Sequence, residues 1–172
     1  MKIATGVLVA SLSAAAAFAQ EKPKAQADAV QSAQVFSGNA LIAGLKATPG
    51  CLGVETARTM SGKNVIFAWF EDKKAVLNWY YSDTHQRAMK AAFPGNQPRK
   101  PLADVPDDSG PIMAVASITL GDKPQFEGTS LPISQISIEL YRPLAGGLFL
   151  GGRFAPEGLK VPGVHDYTPG KK

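Results

Sequence analysis

The side chains best suited to moving a proton near neutrality are the two histidines, His85 and His165, because an unperturbed imidazole titrates near about 6.5. His165 lies in a Pro- and Gly-rich stretch, whereas His85 follows Trp79, Tyr80 and Tyr81 inside a segment of helical spacing. Two readings of His85 stand side by side. It is either a proton-transfer group projecting into a cavity between helix and sheet, or a helix-face or dimer-contact histidine with a satisfied hydrogen bond. No second His or Cys and no clear base partner stands near it in the sequence. Trp69, Trp79, Tyr80 and Tyr81 concentrate aromatic surface around the same strand and helix, as pocket lining or as core and interface.

Other chemistries find less support. Cys51 is the only cysteine, so no disulfide forms within the chain. Placed between Gly50 and Leu52 at the start of an apolar stretch, it reads as a small buried hydrophobe with nothing local to lower its pKa. His85 with Asp83 or His165 makes no recognisable metal-ligand spacing, and no metal is expected. Gly146-Gly147 and Gly151-Gly152 have no following helix to cradle a phosphate, and bulges or close backbone contacts explain them better. Arg142 and Arg153 have the chemistry to hold a carboxylate, although pairing with Glu139 or Glu157 is the simpler reading. No Gly-x-Ser-x-Gly elbow is present.

The elements that must position these groups follow from periodicity and punctuation. Residues 39–46 form a short helical piece with Leu41, Ile42 and Leu45 on one side, stopped by Pro49-Gly50. Cys51 to Thr59 and Val65 to Phe70 read as strands joined by the turn at Ser61–Asn64, a β-hairpin. Glu71-Asp72 opens one long helix, with Ala75, Val76, Trp79, Tyr80, Ala88, Met89 and Phe93 at helical spacing, ended by Pro94-Gly95. Asn96 to Ser109 is a Pro-containing cover segment. Pro111–Leu120 and Ile133–Tyr141 are β-rich, and Gly146 to Phe154 continues as a Gly-rich strand. Ile133–Tyr141 is the better candidate for a buried central strand.

The ends bound the compartment. Lys2, an apolar run from Ile3 to Phe18, and Ala17-Phe18-Ala19 have the form of a cleavable export signal, with Gln20 as the first mature residue. The expected organisation is residues 1–19 as signal peptide and 20–35 as flexible lead-in, then 36–156 as one domain and 157–172 as an irregular tail. The protein is expected to be periplasmic or secreted, without stable membrane insertion. Loss of Lys2, with no acid, lowers the formal charge from +4 to +3. The basic residues are scattered, so nucleic acid is not an expected partner.

Pro49-Gly50-Cys51-Leu52-Gly53-Val54-Glu55, then Phe67-Ala68-Trp69-Phe70-Glu71-Asp72, then Trp79-Tyr80-Tyr81-Ser82-Asp83-Thr84-His85 together resemble the antibiotic-biosynthesis monooxygenase-like domains. The likeness covers roughly residues 38–93. It implies an α+β fold: a ferredoxin-like antiparallel sheet with helices on one face, two copies pairing into a dimeric α/β barrel. The usual first strand is not evident before Phe36. One of the two later β-rich segments is therefore expected to take its place beside Val65–Phe70, in a rearranged or permuted sheet.

For the exported chain the same resemblance implies a homodimer and an expected activity as a cofactor-independent monooxygenase acting on a phenolic or quinol-type small molecule. His85 is then the catalytic group, and Trp69, Trp79, Tyr80 and Met89 line the substrate site. The alternative is a non-catalytic binding protein for a small apolar molecule or haem. In the haem-degrading branch a haem-binding His lies four residues beyond the position of His85, where this chain has Met89. The catalytic Asn of that branch belongs to the strand not found here, so no cofactor is assigned.

Overall fold

The computed structural model describes residues 38–95 and 100–170. The expected signal peptide and lead-in lie outside these residues. Helix α1 (Gly38–Lys46) buries Leu41 and Leu45 and leads through Pro49-Gly50 into strand β1 (Cys51–Arg58). Gly50 sits at φ 82°, a conformation that costs a residue without Cβ little. Strand β2 (Asn64–Phe70) pairs antiparallel with β1 from Arg58↔Asn64 to Cys51↔Phe70. The register shifts between Cys51 and Gly53, so Leu52 is an extra residue that bulges the edge of the sheet.

The single helix expected after Asp72 is two helices, α2 (Lys73–Tyr80) and α3 (Asp83–Ala92). Asp72 caps α2 by accepting from the Ala75 amide at 2.8 Å. Ser82, extended at φ −65° and ψ 148°, caps α3 by accepting from the His85 amide at 3.2 Å. Side-chain oxygens at such positions satisfy amides that have no partner in the first turn. The chain thus turns at Tyr81-Ser82, and His85 falls in the first turn of α3.

Strands β3 (Ile112–Leu120) and β4 (Ile133–Tyr141) complete one antiparallel sheet in the order β1-β2-β3-β4. Among the described residues the fold is therefore α+β, with a four-stranded antiparallel sheet and three helices, compatible with a ferredoxin-like arrangement. A strand from the C-terminal half does lie beside β2, but it is β3, from Phe70↔Ile112 to Asn64↔Ile118. Ile133–Tyr141 is an edge strand, a correction to its expected central place. The continuous apolar run from Ile112 to Ala116 suits a central strand better than the mixed run of β4.

Alternation along the strands separates two faces. Val54, Ala68, Phe70 and Ile112 meet Leu45, Ala75 and Val76 in the main core, with Trp79 packed against it. A second cluster of Ala92, Leu131 and Ile133 joins the end of α3 to the start of β4. Lys73 binds the carbonyl of Val105 at 2.7 Å and pairs with Asp107 at 2.8 Å. These contacts fasten the cover segment, from which Leu102 and Val105 reach the core. The opposite face carries Val65, Phe67 and Trp69, and the C-terminal segment crosses it. Phe154 meets Phe67 and Trp69 at ring-centroid distances of 5.0 and 5.2 Å.

Of the Gly-rich strand expected at 146–154, only β5 (Leu148–Phe149) forms, and it pairs in parallel with β6 (His165–Asp166). Residues beyond 156 pack onto the segment before them. Leu159 is 3% exposed, and Arg153 donates to the carbonyls of Ala155, Pro156 and Leu159, gathering the turn around its guanidinium. Among the described residues no helix is long and apolar enough to cross a membrane.

Candidate functional site

The residues expected to share one pocket are divided by the sheet. Trp79, Tyr80, His85 and Met89 belong to the helical layer, where His85 packs against Trp79 and Tyr80 at 5.2 and 5.1 Å between ring centroids. Trp69 points to the other face, where it is 3% exposed beneath Phe154. One strand cannot send adjacent residues to one side. Phe70 faces the helices, so Trp69 faces away.

His85 does structural work in this arrangement. Its Nδ1 lies 2.8 Å from the carbonyl oxygen of Tyr80, and a carbonyl only accepts, so the proton is on Nδ1 and the lone pair on Nε2. Gln86 donates to the same oxygen. The two side chains thus meet at the Tyr80 carbonyl, where α2 ends. Burial holds the imidazole below its usual pKa, against the smaller opposing effect of the Tyr80 hydrogen bond. Trp79 also closes against α1. A Cβ on Gly44 would come within 2.7 Å of Thr84 Cγ2 and 3.1 Å of the Trp79 ring, so glycine permits the close approach of helix and indole.

A cavity of about 300 Å³ lies at the edge of β1. It is lined by Cys51 to Glu55 of β1, by Trp69 of β2, by Lys46 from the end of α1, and by Phe154 and Pro156 of the C-terminal segment. The sequence explains this shape. The bulge at Leu52 bends the strand, and Gly53 leaves the space that Pro156 enters, because a Cβ there would stand 2.7 Å from Pro156 Cβ. The Cys51 thiol donates to the carbonyl of Gly53 at 3.7 Å, and burial raises its pKa more than that contact lowers it, so the thiol stays protonated. The cavity has a mixed lining, with the rings of Trp69 and Phe154 beside backbone polar groups and the charged side chains of Lys46 and Glu55.

Of the expected substrate residues, only Trp69 lines this cavity. Phe154, Pro156 and Lys46 were not legible as site residues, since their roles depend on the C-terminal segment folding back across the sheet. Neither His85 nor Met89 lines this cavity, and the His85 ring is held between Trp79, Tyr80 and the Tyr80 carbonyl. Among the described residues no group of three or more His, Cys, Asp or Glu is placed to hold a metal ion. No protein-family model, no curated protein and no solved structure matches this chain.

Proposed function

We propose that this protein works outside the cytoplasm as a non-catalytic binding protein for a small apolar or aromatic molecule, held in the cleft between β1 and the Phe154–Pro156 segment. The observation that carries this reading is the edge-to-face pair of Trp69 and Phe154, ring centroids 5.2 Å apart, in the lining of a half-open cavity of about 300 Å³, a volume at the small end of ligand sites. A flat ring fits edge-on or offset against an aromatic lining, and Lys46 and Glu55 in that lining give a polar substituent charged partners.

The test uses Trp69 as its own reporter. In a Trp79→Phe background it is the sole indole, since the chain has two tryptophans. Titration with 1-naphthol should quench its fluorescence, and Phe154→Ala should weaken that binding roughly tenfold, in line with loss of one aromatic contact. Absence of quenching, together with absence of any copurified small molecule by mass spectrometry, would remove the reading.

A second reading keeps the resemblance to antibiotic-biosynthesis monooxygenase-like domains, with a ferredoxin-like unit pairing into a dimeric barrel. One observation favours it: burial holds His85 below its usual pKa, so the neutral ring prevails at working pH with a proton-accepting Nε2. Oxygen uptake with a hydroquinone substrate, lost in His85→Ala while the fold survives, is the outcome it requires.

A further inference from the structure

The two edges of the sheet are treated differently. β1 begins with a bulge, carries Glu55 and Arg58, and is flanked by the cleft, which are devices that discourage pairing with another strand. β4 ends the sheet order at the other side and has no Pro, Lys or Arg among its nine residues. Its irregularity is confined to Ser134. From Gln135 to Tyr141 it runs in unbroken register with Thr119 to Met113. Ile138 is 64% exposed and Leu140 39% exposed on the helical side, beyond the reach of the cluster at Ile133.

We propose that β4 pairs antiparallel with β4 of a second copy of this chain, centred on Ser137, to give a continuous eight-stranded sheet. A two-fold axis through Ser137 sets each residue opposite one of the same face. Ile136 then meets the second copy's Ile138, and Gln135 meets its Glu139. The charges agree with this register. Lys63 donates to Gln135 Oε1 at 3.1 Å, so the second copy's Glu139 arrives beside an ammonium group. Within its own copy, Glu139 already accepts from Ser137 and Tyr141. A register centred on Glu139 would oppose two carboxylates, which is unfavourable. Closure of the opposite sheet face on a second copy is less well served, because Phe154 and Pro156 already cover its β1–β2 half. The edge pairing is independent of the ligand proposed above.

The full chain, purified as the cell processes it, should sediment as a dimer at micromolar concentration. Ile138→Lys, a change at an exposed site, should weaken association roughly a hundredfold, because it places an ammonium group against the apolar seam. Thermal denaturation of the same variant, followed by circular dichroism, checks that the protomer still folds. In a Cys51→Ala background, Ser137→Cys should oxidise to a disulfide-linked dimer, since directly opposed residues bring their Cβ atoms to about 5 Å. A monomer at all concentrations overturns the proposal. So does a dimer that survives Ile138→Lys, and so does a dimer in which Cys at 137 fails to cross-link.

Discussion

The proton on Nδ1 of His85 is committed to the carbonyl oxygen of Tyr80, 2.8 Å away across the break between two helices. The imidazole therefore joins the end of α2 to the start of α3, and it is packed between aromatic rings on the side of the sheet away from the cleft. Replacing it should read out first as stability. His85→Ala should lower unfolding free energy by about 1–2 kcal/mol, the scale of a partly buried hydrogen bond plus lost ring contact. It should leave 1-naphthol quenching of Trp69 unchanged. Urea denaturation and the fluorescence titration check the two halves separately.

The same histidine sets a pH dependence. Its folded pKa lies below the ordinary 6.5, so between the folded value and 6.5 the unfolded chain binds more protons than the native one. Stability from this group is then fully present above about 6.5 and falls as the pH drops toward the folded pKa. Denaturation midpoints at pH 7.5 and 5 should differ more in the native sequence than in His85→Ala. Equal differences would show that burial of this ring is not what links stability to protons in that range.

Ser82→Ala tests the helix break itself. Removing the Oγ that accepts from the His85 amide should cost about 1 kcal/mol, the usual value of an N-cap. Because the break orients His85, the loss should shrink when Ser82→Ala is made on top of His85→Ala, and a double-mutant cycle measures that coupling.

How much of this was legible in the sequence depends on whether the signal was local. The hairpin of β1 and β2, the short helix ending at Pro49-Gly50, and the start of α2 at Asp72 all follow from residues within a few positions of each other. Ser82 was a local signal too, an N-cap serine before Asp83, but the apolar spacing from Ala75 to Phe93 continued across it and concealed the turn. The order of β3 and β4 was not local. Ile133, Ile136 and Ile138 look like core residues by type, yet the helices cover only the start of β4 and leave Ile138 open. The site was least legible. Grouping Trp69 with Trp79 overlooked strand alternation, which puts Trp69 and Phe70 on opposite faces. Phe154 meets Trp69 only because a segment of many Gly and Pro residues folds back some 85 positions later in the chain.

Gly53→Ala should disturb that folded-back segment. The added Cβ would stand 2.7 Å from Pro156 Cβ, and displacing a packed ring typically costs about 1–3 kcal/mol. The expected signs are faster tryptic cleavage after Arg153 and Lys160, and weaker 1-naphthol binding. Gly62→Ala serves as the comparison. Gly62 has a positive φ of 86° but nothing within 4 Å of the added atom, so it should lose stability through backbone strain while leaving cleavage after Arg153 unaltered.

Cys51 offers a footprint of the cleft. Its thiol lines the cavity, donates to the Gly53 carbonyl, and has its pKa raised by burial. Since the thiolate is the reactive form, alkylation by iodoacetamide at pH 8 should be at least roughly tenfold slower in the native protein than in urea. The rate should rise with pH in parallel with thiolate formation, above the range of an ordinary exposed thiol. Saturating 1-naphthol should slow the native reaction further, because a ring seated in the cavity beside Phe154 stands over the approach to Sγ. Phe154→Ala should remove most of that protection while leaving the ligand-free rate higher than before. Mass spectrometry of the alkylated chain over time gives both rates. Protection that persists in Phe154→Ala would place the ligand elsewhere, and a native rate equal to that in urea would mean that the thiol is not held within the cleft.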